Sequence, residues 1–148
     1  MNPSETLEAI TSNDNHQAWL AAWDIIRANE AELEQYFLPH LKVIKLAIDK
    51  LKKSDKSVLR DSRDCVRLAL RILDAVNDGK CRCSVFTSTN QMLPESEEKY
   101  GLIEIIEKRD IPWEPEYKCK CTQCGQMFLA IENHGYHYPW SKWIKENV

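Results

Sequence analysis

Apolar residues recur every three to four positions through the first half of the chain. In the second half they gather into short β-branched and aromatic runs. The first pattern predicts helices. A short one starts at Pro3, a first-turn residue, and turns Leu7 and Ile10 inward. Asn13 or Asp14 caps a second helix with an apolar face of Trp19, Trp23 and Ile26. Asn29 with Glu32 three positions on is a capping-box variant and opens a third segment, which Pro39 kinks or restarts. Leu41, Ile44, Ile48 and Leu51 continue the helical spacing, and residues 52–56 form a turn. A last long helix runs to Asn77. Leu59, Val66 and Leu73 lie seven apart on it, with Ala69, Leu70 and Val76 on the same face. Asp78-Gly79 is its stop, because glycine accepts the left-handed conformation that ends helices.

From residue 80 the grammar changes. Val85-Phe86, Leu102 to Ile106 and Phe128 to Ile131 read as strands, punctuated by Pro94, Pro112, Pro115 and Pro139. Residues 94–99 read as a polar loop. The expected fold class is α+β: a helical bundle over residues 1–79, then a small antiparallel β module over 80–148 packed on it.

Composition adds bounds to this picture. The chain has 148 residues, 43% hydrophobic and 29% charged, as in ordinary globular proteins. Four glycines are too few for a Gly-rich phosphate loop or a turn-dense β fold. No apolar run is long enough to span a bilayer, and Met-Asn-Pro-Ser-Glu-Thr-Leu-Glu is not a signal-peptide start, so the expected location is cytoplasmic. Six cysteines in a reducing compartment point to metal ligands or free thiols rather than disulfides. The net charge of −3 hides alternating blocks: −6 over residues 1–41, +6 over 42–83, −5 over 84–116 and +2 over 117–148.

The chemistry lies in the cysteines. Cys81-Arg-Cys83 opens the second half, and about 36 residues later comes Cys119-Lys-Cys121-Thr-Gln-Cys124-Gly125, with Phe128 three positions on. Cys-x-x-Cys-Gly resembles the knuckle of zinc-ribbon and rubredoxin-like modules, in which two thiolates sit on a tight turn and the glycine takes positive φ. The resemblance covers roughly residues 80–130 and departs from the usual pattern in having Cys-x-Cys as its first pair. It implies a closed, structural zinc site of Cys81, Cys83, Cys121 and Cys124, with Cys119 as a substitute. On a strand, Cys81 and Cys83 would share one face. Two competing readings are buried free thiols and a redox pair. The first does not account for five cysteines in two tight clusters, and the second lacks the helix N-terminus that lowers a thiol pKa. Cys65 falls in the apolar helix run and reads as core, and His134 and His137 read as surface or packed residues.

No His-Glu-x-x-His, deaminase signature, nucleophile elbow, Walker loop or dinucleotide fingerprint is present, so the chain is not expected to be an enzyme. Two binding classes remain. The first is a zinc-binding protein-interaction module. In size, charge and compactness it is similar to bacterial immunity proteins, which neutralise a cognate toxin, and that resemblance implies a basic toxin domain as partner. Glu5, Glu8, Asp14, Asp24, Glu30, Glu32 and Glu34 supply the acidic surface. The second is a nucleic-acid-binding zinc-ribbon regulator. It would use the Arg60, Arg63, Arg67 and Arg71 stripe and the aromatic tail from Tyr136 to Trp143, against a sequence pI near 5.8. The intervening Asp64 and Asp74 favour a solvated face for the stripe, and packing is the commoner use of such a tail.

Overall fold

The structure, a computed structural model, describes residues 2–51, 62–135 and 137–146. It is α+β, with helices leading and an antiparallel sheet following. The chain divides into two units, Met1–Lys80 and Cys81–Val148.

The first unit begins with α1 (Pro3–Ile10), capped by Asn2, and α2 (Asn15–Arg27), where the Asp14 side chain accepts from the Gln17 amide at 2.9 Å. The reciprocal Asn29–Glu32 box opens the single turn α3 (Glu30–Glu32). Pro39 has no N–H for the helical ladder, and the chain responds with a π turn over Leu33–Phe37 and a 3-10 turn over Leu38–His40. α4 (Leu41–Asp49) then buries Ile44 and Ile48. α5 (Ser62–Asn77) ends in a Schellman arrangement. The Lys80 amide donates to the Ala75 carbonyl at 2.9 Å and the Gly79 amide to Val76 at 3.1 Å, with Gly79 at φ 78°.

α2 packs against α1 and α5. Its buried stripe is Ala18, Ala21, Ala22, Ile25 and Ile26, not the expected Trp19 and Trp23, which are half-buried at its margins. Small side chains let the helices approach closely, and an indole is accommodated at the boundary instead. There Arg27 lies over the Trp23 ring, 5.4 Å from its centroid. Leu7 is likewise half-buried, while Thr6, Ala9 and Ile10 point inward. The predicted turn at 52–56, together with Leu59 and Arg60, lies outside the described residues.

The second unit is a meander of β1 (Ile103–Arg109), β2 (Glu116–Cys121), β3 (Met127–Asn133) and β4 (Trp140–Lys145), in that spatial order and antiparallel throughout. Its buried face alternates strictly: Tyr117, Cys119 and Cys121 on β2, Phe128, Ala130 and Glu132 on β3, Ser141 and Trp143 on β4. Phe86, Phe128 and Trp143 meet there with centroids 4.7–5.7 Å apart, and the Trp143 indole donates to the Met92 carbonyl at 2.8 Å.

Two local expectations are corrected. Val85-Phe86 is not a strand but part of a 3-10 stretch, Arg82–Ser88, begun by the Ser84 amide donating to the Cys81 carbonyl at 3.0 Å. A short apolar run signals burial without specifying a partner strand, and both residues are buried. Residues 94–99 are not a loop but the helix α6 (Pro94–Lys99), with proline in its first turn and Glu95 and Glu97 where the helix dipole favours acids.

Candidate metal centre

β2 delivers Cys121 to the edge of the buried face, and a tight turn returns the chain to β3. The Gly125 amide donates to the Cys121 carbonyl and the Cys121 amide to the Gln126 carbonyl, both at 2.9 Å. Gly125 sits at φ 80°, which L side chains rarely adopt. The Thr122 hydroxyl, 2.8 Å from the Gly101 carbonyl and 3.0 Å from that of Leu102, ties this turn to the start of β1. From the other side the 3-10 stretch presents Cys83, with Cys81 extended just before it. The pair therefore does not converge by strand alternation as expected. The turn closed between Cys81 and Ser84 brings the two sulfurs together instead.

Four thiols result with every Sγ within 4.8 Å of the others: Cys81, Cys83, Cys121 and Cys124. The Cys81–Cys121 sulfurs are 3.6 Å apart and the Cys83–Cys124 sulfurs 3.5 Å. Disulfide sulfurs would lie at about 2.05 Å. A tetrahedral ion with metal–sulfur bonds of about 2.3 Å has edges of about 3.8 Å, slightly longer than these two separations and within the 4.8 Å span of the group. Cys83 and Cys121 are buried, Cys81 is half-buried and Cys124 exposed, so the group lies at the rim of the unit.

The thiols shift one another's ionisation. A hydrogen bond from the Cys83 thiol holds Cys121 down to about 5, against the cost of burial and aided by the backbone amides of Cys124 and Gln123. Donating that bond, together with burial, pushes Cys83 strongly upward. Burial lifts Cys81 to about 12, although the Cys83 amide opposes the shift. Four thiolates this close cannot all ionise on their own, and a dication would remove that conflict. The amides aimed at Cys81 and Cys121 are the outer-shell donors that orient metal ligands.

Cys119 is fully buried on the same face as Cys121 but outside the four-thiol group, opposite Phe128 and Ile105. Burial pushes its thiol up to about 12, the behaviour of a neutral core residue. Replacing it separates the two roles: Cys119→Ala is expected to keep one metal per chain by elemental analysis, while Cys124→Ala falls well below one. Full loss of metal in Cys119→Ala would move it into the ligand set.

The other sequence candidates are dispersed. His134 pairs with Glu132 and His137 is exposed; neither joins the thiols. Arg67 and Arg71 are exposed on α5, Arg60 and the Arg63 side chain lie outside the described residues, and Asp74 takes Lys45 at 2.8 Å. Trp143 belongs to the core and Trp140 is half-buried, while Tyr136 is outside the described residues. Sequence reasoning missed the buried pair Arg82–Glu97, 3.9 Å apart, and buried Glu132. Period-two alternation with Phe128 and Ala130 is the signal that would have placed Glu132 inside.

Among the described residues no helix is long and apolar enough to cross a membrane. No protein-family model, no curated protein and no solved structure matches the chain.

Proposed function

We propose that this protein is a non-catalytic interaction module whose second unit is held together by one structural zinc ion on Cys81, Cys83, Cys121 and Cys124. The observation that carries the reading is the convergence of four sulfurs at near-tetrahedral separations. Soft thiolates in a tetrahedral set suit zinc. Four protein ligands also fill its coordination, leaving no position for a reacting water. The ion then supplies folding energy, and function falls to the surfaces.

The surface favoured for that role is the acidic one. Glu5, Glu8, Asp14, Glu32 and Glu34 are exposed in the first unit, and Arg27 is the one base in residues 1–41. Such a field steers a basic protein partner. The immunity-protein reading, with a basic bacterial toxin domain as that partner, rests on this charge together with size and compactness. The nucleic-acid reading is weakened because Trp143 is in the core.

Cobalt substitution tests the closed site. The expected spectrum is that of a tetrahedral four-thiolate ion, unchanged by added azide or cyanide. A spectrum that shifts with either anion would reveal an open position and return the enzyme reading to first place.

A further inference from the structure

β3 leaves the cysteine turn at Met127 and reaches Glu132 five residues later, about 17 Å along the strand. A cleft of about 320 Å³ opens there, lined by Leu93, Glu95, Ser96, Glu132, His134 and Pro139. That volume is at the lower end of small-ligand sites, which span about 300–1,000 Å³.

Glu132 occupies a core position of β3 and is only 7% exposed. Its Oε2 meets the His134 ring Nε2 at 2.5 Å, and its Oε1 makes no hydrogen bond. Ser141 lies directly opposite Glu132 on β4, is fully buried, and its hydroxyl also has no hydrogen-bond partner. A buried carboxylate is costly unless a cation or donors compensate it. The half-exposed His134 ring does so on one side only.

Glu95 is the second carboxylate of the lining; its Oε1 takes the Lys108 ammonium at 3.2 Å and the Tyr117 hydroxyl at 3.3 Å. Burial, then the charges of Glu132 and Glu95, push the Tyr117 hydroxyl up to about 12. The His134 backbone is held from the side by its amide, which donates to the Trp113 carbonyl at 2.9 Å.

We propose that this cleft binds an organic cation, an alkylammonium or guanidinium group, with the open Glu132 oxygen as its counter-charge. Leu93 and Pro139 give the carbon stem an apolar wall, the arrangement that amphipathic cations use. A metal ion suits the place less well. Among the described residues, Glu132 and His134 have no third acidic, histidine or cysteine ligand within reach. The site stands apart from the thiol centre but lies in the same unit, whose fold that centre holds.

The test is an NMR titration of the whole, metal-loaded chain, followed at the His134 ring signals. The probes are n-butylammonium, N-acetyl-lysine N-methylamide and, as the uncharged control, N-acetyl-norleucine N-methylamide. Both cations should give saturable shifts, with norleucine at least about tenfold weaker. Glu132→Gln should weaken the cations by about tenfold or more and Glu95→Gln by less, each variant keeping its metal content. Tighter binding of the lysine amide than of butylammonium assigns the ligand to a peptide side chain, and equal binding to a free amine. Equal affinity for norleucine, no saturable shift, or unchanged binding in Glu132→Gln would overturn the proposal. If Glu132→Gln does not fold, the norleucine comparison and Glu95→Gln decide alone.

Discussion

Chelation is expected to unfold residues 81–148 while leaving most of the helical signal of residues 1–80 intact. The physical reason is size. A unit below about 70–80 residues rarely draws more than about 3–5 kcal/mol from its own core. Its core here is one sheet face under a few side chains, chiefly Phe86, Phe128, Trp143, Tyr117 and Met92. Zinc binding to structural sites contributes about 10–16 kcal/mol at neutral pH, so its removal exceeds what the core supplies. The helical unit has an independent interior of Ile10, Ile25, Ile26, Leu33, Ile44, Ile72 and Leu73. Circular dichroism with a strong chelator should therefore show a partial loss, and near-ultraviolet signals from Trp143 should collapse. Cys121→Ser should reproduce the effect without chelator. A metal-free chain with unchanged near-ultraviolet spectrum and melting curve would show that the ion adds little.

The second large effect concerns Arg82 and Glu97. Both are almost completely buried, at 2% and 4% exposure, and the guanidinium Nη2 lies 3.9 Å from the carboxylate. Removing the cation by Arg82→Met leaves the Glu97 carboxylate in the interior without that charge, which typically costs about 3–5 kcal/mol. Removing both charges, Arg82→Met with Glu97→Leu, should recover much of the loss, because a well-packed apolar pair is often as stable as a buried ion pair. Urea denaturation of the two single variants and the double gives the coupling directly. Additive costs would mean that each side chain is held by other contacts. Arg82 also stands between Cys81 and Cys83, at the start of the 3-10 stretch that carries Cys83.

Much of this was legible beforehand where a local rule acts alone. The Asp14 cap, the Asn29–Glu32 box, the break at Pro39 and the stop at Gly79 each follow from one residue's own chemistry, and each forms as its type requires. The turn of Cys121, Cys124 and Gly125 is of the same kind. The misreadings arise where packing decides. Trp19 and Trp23 have the right spacing for a helix core, yet alanines occupy the interface because close approach there excludes large rings. Val85 and Phe86 carry a strand's composition, but both are buried within a 3-10 stretch instead. Residues 94–99 are polar enough for a loop, and only the first-turn proline and acids betray a helix. Strand β4 was hidden inside an aromatic tail, although Trp143 and Ser141 alternate inward with period two. Glu132 and Arg82 were passed over because charged residues are read as solvated, and burial of a charge depends on partners far away in sequence.

Elemental analysis of full-length chain purified without chelator, combined with thiol counting, tests the central claim most directly. The account predicts one zinc per chain, with the thiols of Cys81, Cys83, Cys121 and Cys124 protected until the metal is removed. Substoichiometric metal together with freely reactive thiols at these four positions would contradict it.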